Sequence, residues 1–195
     1  MATGVSIPIF PLTLLPLPGE LVPLHIFEPR YKQLLNDAEM NDIHFCIYFD
    51  HVMNNEKLGS CMKLESIIKR YPTGEADIIV KCLDVCTLGV LYDTFKNKLY
   101  PGGEVQYWHL ESPRITQEQL HAQFLHYMSL RNITRHTSHF DVFQVANELN
   151  LNFSDRYKLL TAADYRREDI LLNRVKFLIH VLQQEVKSKD VFHLN

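Results

Sequence analysis

Glycine and proline stop partway along this sequence. All seven glycines lie at or before Gly103 and all nine prolines at or before Pro113, so the last 82 residues, Arg114 to Asn195, contain neither. Gly and Pro punctuate the turns between short strands, and their absence lets helices run uninterrupted. The step predicts an α+β chain, with a strand-rich part over residues 1–113 carrying one helix and an all-helical part over residues 114–195 packed on it. Charge divides at the same place: residues 1–113 hold 9 basic and 14 acidic side chains, residues 114–195 hold 11 and 9.

In the first part, Ile7 to Leu15 is apolar and proline-broken, which suits an edge strand, because Pro cannot donate to a ladder. Leu21 to Phe27 reads as a strand after a Pro18-Gly19 turn. Pro29 opens a helix at the first helical position, where its missing N–H costs nothing, and Tyr31, Leu34, Leu35 and Ala38 form one buried stripe. Ile43 to Phe49 is another strand. Leu58 to Tyr71 and Asp77 to Leu88 form a hairpin through Pro72-Thr73-Gly74-Glu75, and Glu104 to Leu110 is the last strand, with Trp108.

In the second part, Thr116 as N-cap with Gln119 three residues on predicts a helix running to about Asn132. Phe140 to Leu149 and Asp155 to Ala162 read as shorter helices, the latter capped by Ser154. The last helix spans Tyr165 to Lys187, with Leu171, Val175, Leu178, Leu182 and Val186 on its buried face.

No constellation for catalysis, metal or cofactor emerges. His136 and His139 are three apart and His121 and His126 five apart, whereas a helical zinc pair needs i and i+4; all four read as solvated. Cys82 and Cys86 would stand about 13 Å apart along a strand, so they and Cys46 and Cys61 read as reduced core thiols. Phosphate-cradling glycine loops and a nucleophile elbow are absent. Glu168-Asp169 beside Arg166 and Arg167 reads as a solvated charged face. Neither a signal peptide nor a membrane span is read at the uncharged but proline-broken start, and the expected location is cytoplasmic.

The segment that stands out is Ile7 to Tyr31, where prolines, large apolar residues and a late polar cluster combine. His25, Glu28 and Arg30 are its candidate polar residues. As structural parts, His25 packs beside the sheet, Glu28 caps the helix begun by Pro29, and Arg30 pairs with a carboxylate of a neighbouring strand. The stretch from Phe10-Pro11-Leu12 through Pro18-Gly19 to Pro23-Leu24-His25-Ile26-Phe27-Glu28-Pro29-Arg30-Tyr31 resembles the opening of the Lon protease N-terminal domain family, above all its stand-alone members. Leu58-Gly59-Ser60-Cys61 and Tyr71-Pro72-Thr73-Gly74 resemble further family segments, and Ala146 to Glu185 its helical part. Cys82 and Val85 replace the glycine and arginine usual in the second hairpin strand. The resemblance implies a PUA-like β pseudo-barrel followed by an α-helical bundle, without the ATPase and protease domains, and a role in binding protein substrates or partners.

The leading expectation is a non-catalytic module, without cofactor, that binds unfolded or apolar polypeptide segments or a partner protein. Its groove would lie beside Ile7 to Pro18, with Leu14 and Leu17 exposed and Phe10, Phe27 and Tyr31 adjoining; taken singly, Phe10 and Phe27 read as core. The alternative is an RNA-binding PUA-like domain using Tyr71, Tyr107 and Trp108 with Lys63, Lys69 and Arg70, which the acidic excess of residues 1–113 opposes. A third reading is an enzyme with a small-molecule pocket. The oligomeric state is not legible.

Overall fold

The computed structural model describes residues 4–134 and 139–192, with side-chain surroundings through residue 185. Two units divide the chain, Met1–Glu111 and Ser112–Asn195.

The first unit holds β1 (Val5–Leu12), β2 (Leu21–Ile26), α1 (Pro29–Asn41), β3 (Phe45–Phe49), β4 (Leu58–Arg70), β5 (Ala76–Tyr92) and β6 (Gly102–Tyr107). Its strands run in the order β2-β5-β4-β3-β1-β6, and β6 pairs again with β5, so five strands close into a barrel and β2 is attached outside the ring. β1 and β3 are parallel, and every other pairing is antiparallel.

β5 makes this geometry possible. Its first residues, Ala76 to Lys81, face β2, and its last, Cys86 to Tyr92, face β6. Register shifts opposite Cys61/Met62 and between Leu88 and Val90 bend it from one partner to the other. The hairpin before it is tight: Tyr71 N donates to Glu75 O at 2.9 Å, and Gly74 adopts φ +82, a conformation that costs glycine nothing.

α1 begins at Pro29 and buries Tyr31, Leu34, Leu35 and Ala38 against Phe10, Ile26, Phe45 and Ile78. Each of the two leucines contributes roughly 1.5–3 kcal/mol by leaving water, and the alanine methyl less. Under the helix the space amounts to about 10 Å³, lined by apolar side chains including Phe10, Tyr31 and Leu34, which is room for at most one water.

β1 ends at Leu12, earlier than the apolar run suggests. Leu15 and Leu17 are nevertheless buried, because the loop after β1 is pinned inward: Ser60 Oγ donates to Pro16 O at 2.7 Å. Trp108 lies just past β6, where its Nε1 donates to Thr87 Oγ1 at 2.7 Å.

The second unit holds α2 (Glu118–Leu130), α3 (Val142–Glu148), α4 (Phe153–Thr161) and α5 (Asp164–Phe192). α3 starts on a capping box between Asp141 and Gln144. The caps of the other two differ from the local reading. The N-cap of α4 is Asn152, whose Oδ1 accepts from Asp155 N at 2.9 Å, so Ser154 lies within the helix. The N-cap of α2 is Gln117 and makes no side-chain cap. The donors there go instead to Glu168 on α5, which accepts from Thr116 N at 3.0 Å, Thr116 Oγ1 at 2.9 Å and Gln117 N at 2.8 Å.

The charged run of α5 is therefore only partly a solvated face: Arg166 and Asp169 are exposed, Glu168 is half-buried and Arg167 is buried. Besides Glu168, Asp169 accepts from Gln117 Nε2 at 2.7 Å, and Arg167 is buried over the C-terminal end of α4. Leu171, Val175 and Ile179 are the buried stripe of α5, whereas Leu178 and Leu182 are half-buried; the side chain of Val186 and all of His136 lie outside the described residues. His126 and His139 are exposed, and His121 is half-buried with its ring 6.0 Å from that of Phe140.

Candidate functional site

Five side chains were expected to surround a groove, and three of them are core. Phe10 and Tyr31 stack at 3.8 Å between centroids beneath α1, and Leu17 is 0% exposed. The flanking prolines do not keep Leu17 in solvent, because the Leu17-Pro18-Gly19-Glu20 turn folds it into the barrel while Glu20 Oε2 accepts from Leu17 N at 2.9 Å. Leu14 is 40% exposed on the loop after β1, which Thr13 Oγ1 ties to Asp50 O at 3.3 Å. Phe27 is 59% exposed, against the expectation that it is core.

Phe27 stands at a corner where β2 ends, α1 begins and the β4–β5 turn closes. His25, two residues before it on the same face of the chain, has its ring 6.0 Å from the Phe27 ring and edge-on to Tyr71 at 5.9 Å. Strand register sets His25 opposite Asp77, and His25 Nδ1 lies 2.7 Å from Asp77 Oδ1. Tyr71 donates its hydroxyl to the other oxygen, Oδ2, at 2.7 Å, and Glu75 Oε2 stands 3.9 Å from His25 Nε2. Lys32 of α1 donates to Thr73 O at 3.0 Å, so helix and turn are tied directly.

The polar residues of the motif act differently from their expected roles. His25 is part of a cross-strand network and not simply packed beside the sheet. Glu28 occupies the N-cap position of α1 without a side-chain cap. Its carboxylate is held by Arg30, at 2.9 Å from Nε and 2.8 Å from a terminal nitrogen, so Arg30 pairs within the motif and not with a neighbouring strand. The Arg30 guanidinium also lies 4.6 Å over the Tyr31 ring.

Hydrogen bonds from His25 first, and then from Tyr71, hold the Asp77 carboxyl below the ordinary aspartate range. A carboxyl depressed in the folded state contributes stability that is complete above its unfolded pKa and is lost as pH falls through the folded value. Accordingly, in a carbon-detected NMR titration Asp77 should protonate below the usual aspartate range, and His25→Ala should move it upward. An unchanged Asp77 titration in the folded variant would remove the pairing.

The four cysteines are free and buried. Cys46 Sγ and Cys86 Sγ lie 3.5 Å apart. The bond to Cys86 and burial push the Cys46 thiol up, and burial raises Cys61 to about 11, so these sulfurs are poor nucleophiles. Among the described residues no group of three or more His, Cys, Asp and Glu side chains is arranged to hold a metal ion, and no helix is long and apolar enough to cross a membrane.

The basic residues considered for RNA are committed elsewhere. Lys63 pairs with Asp42 at 3.5 Å, Arg70 with Glu39, and Lys69 lies 4.4 Å over the Tyr71 ring. Tyr107 accepts a hydrogen bond from Cys61 Sγ at 3.6 Å.

Sequence reading singled out His25, Phe27, Glu28 and Arg30, and Tyr71 only as a stacking aromatic for RNA. It missed Glu75 and Asp77, which lie some fifty residues from His25 and meet it through the β2–β5 register and the adjoining turn. By sequence, the chain matches no family model and no curated protein. By structure it is similar to a Lon N-terminal domain protein from Xanthomonas campestris, with 20% identity, a TM-score of 0.66, and 87% of this chain and 98% of that chain covered. It also aligns with the N-terminal domain of the Mycobacterium avium complex Lon protease, at 14% identity and a TM-score of 0.49, over 92% of this chain and 98% of that one. The closed barrel with an added strand, followed by helices, is the fold of a Lon N-terminal domain.

Proposed function

We propose that this chain is a non-catalytic protein-binding module that takes exposed apolar polypeptide segments, or an apolar patch of a partner protein, on the surface around Phe27. The observation that carries the reading is Phe27 itself: a phenylalanine 59% exposed, at a corner braced by three elements. An aromatic side chain left in water on a rigid support offers buried area on contact with little ordering cost. Leu14 and Leu21, 40% and 56% exposed, add apolar surface on other segments of the same unit. The role matches the one implied by the resemblance of the Pro23 to Tyr31 run. RNA is the weaker reading, because the acidic partners of Lys63 and Arg70 compete with phosphate for those cations.

The test is calorimetric binding of a cysteine-blocked, unfolded protein. Phe27→Ala should weaken binding roughly tenfold, the effect of removing a central aromatic anchor, while leaving the melting temperature in place. Wild-type affinity should change little between low and moderate salt. Undiminished binding by folded Phe27→Ala and Leu14→Glu variants would remove this surface, and steep loss with salt would turn the reading toward RNA.

A further inference from the structure

β2 pairs with β5 on one side, and among the described residues no strand lies on its other side. Which backbone groups face that open side follows from the turn before it. Glu20 N donates to Leu17 O at 3.0 Å around Pro18 and Gly19, whose φ is +81. Gly19 N then donates to Cys82 O and Cys82 N to Glu20 O, both at 2.9 Å, a bulge with the positive-φ glycine at its first position. With Glu20 C=O aimed at β5, antiparallel alternation aims Val22, Leu24 and Ile26 at β5 as well. Leu21, Pro23 and His25 therefore direct their backbone groups outward. Pro23 lacks only an N–H that would point away from the sheet, which is where an edge strand tolerates proline.

We infer that this open edge of β2 receives an extended segment of another polypeptide as an added antiparallel or parallel strand, the mode by which the proposed module holds its apolar ligands. The inference rests on the protein-binding reading and specifies its chemistry. Outward carbonyls at Leu21, Pro23 and His25, with amides at Leu21 and His25, are matched by an extended backbone. On the inner face, Val22 and Leu24 are half-buried margins of the core cluster, so a strand laid beside them continues that core with apolar residues at alternate positions. On the outer face, the carboxylates of Asp77 and Glu75 stand 2.7 and 3.9 Å from the His25 ring nitrogens, which suits a lysine or arginine beside His25. A second copy of this chain fits poorly. Two β2 edges paired about their centres set Pro23 against Pro23 and forfeit both hydrogen bonds there. A strip of six residues also falls far short of the roughly 20–30 residues a side of a stable interface.

The probe is a nine-residue peptide alternating valine with threonine or lysine, measured by calorimetry at protein concentrations where every variant is monomeric. N-methylation of the peptide amides on one alternate set should abolish binding, and methylation on the other set should leave it intact. Pro23→Val restores the missing outward N–H and should tighten binding roughly fivefold, the effect of about one hydrogen bond. Leu21→Pro, checked for an unchanged melting temperature, should weaken it by a similar factor. If the peptide binds, but tolerates methylation on both sets and ignores Pro23→Val, edge pairing is wrong and the protein-binding reading stands. If neither this peptide nor the cysteine-blocked unfolded protein binds, both fail. If only the unfolded protein binds, the edge inference alone is overturned.

Discussion

Leu17→Glu should leave the strand-rich unit unfolded at room temperature, while Leu14→Glu, three residues earlier, should leave it folded. Leu17 is fully buried at 0% exposure, and its replacement removes an apolar side chain from the core, a loss of about 3 kcal/mol or more. It also takes a carboxylate out of water, adding several kcal/mol unless the group stays protonated. Together these approach the whole ~5–15 kcal/mol that holds a domain of this kind. Leu14 is 40% exposed, and a charge there should change stability by about 0.5 kcal/mol. Chemical denaturation followed by the near-ultraviolet signal checks both; a folded Leu17→Glu variant with native signal would contradict the placement of that loop.

This pair also shows where sequence reading reached its limit. The alternation of apolar residues and prolines over Ile7 to Pro18 marked the segment but not its inward side, because a loop has no period from which to read a face. Leu17 is buried through Ser60 and Glu20, one of them more than forty residues away. On α1 the period placed the face, since Tyr31, Leu34, Leu35 and Ala38 are its buried residues, and the Pro72 to Glu75 turn joins β4 to β5. On α5 the period placed Leu171 and Val175, but Leu172 and Ile179 are buried where Leu178 and Leu182 are half-buried. Barrel closure by β5 and β6 had no local signal, since it depends on bulges that let one strand serve two neighbours. The same holds for Asp77, which is an unremarkable strand residue until register sets it against His25.

Arg167 carries the second large effect. Its side chain is buried, with residue exposure of 5%, and it donates from Nε to Leu159 O at 3.2 Å and from a terminal nitrogen to Leu160 O at 3.5 Å. Another terminal nitrogen meets Asp164 at 2.9 Å. A guanidinium thus satisfies carbonyls at the end of α4 that have no helical donor, where the helix dipole also favours a cation. Arg167→Ala should destabilise the helical unit by about 3 kcal/mol, because buried acceptors lose their donors and a cavity opens. Arg167→Lys should recover less than half, since an ammonium cannot reach three acceptors in one plane. A loss below about 1 kcal/mol for Arg167→Ala would show that water replaces the guanidinium. From sequence alone, Arg166 and Arg167 are indistinguishable neighbours; only the packing of α5 on α4 separates the exposed one from the buried one.

Docking of apolar polypeptide on the β2 edge and the Phe27 corner would be visible residue by residue. Amide NMR spectra of the full chain, titrated with the cysteine-blocked unfolded protein, test it most directly. The largest shifts should fall on Leu21 to Arg30 and on Tyr71 to Asp77, with slowed exchange of the Leu21 and His25 amides. Shifts confined to α2 through α5, or to Lys63, Lys69 and Arg70 and erased by moderate salt, would contradict it.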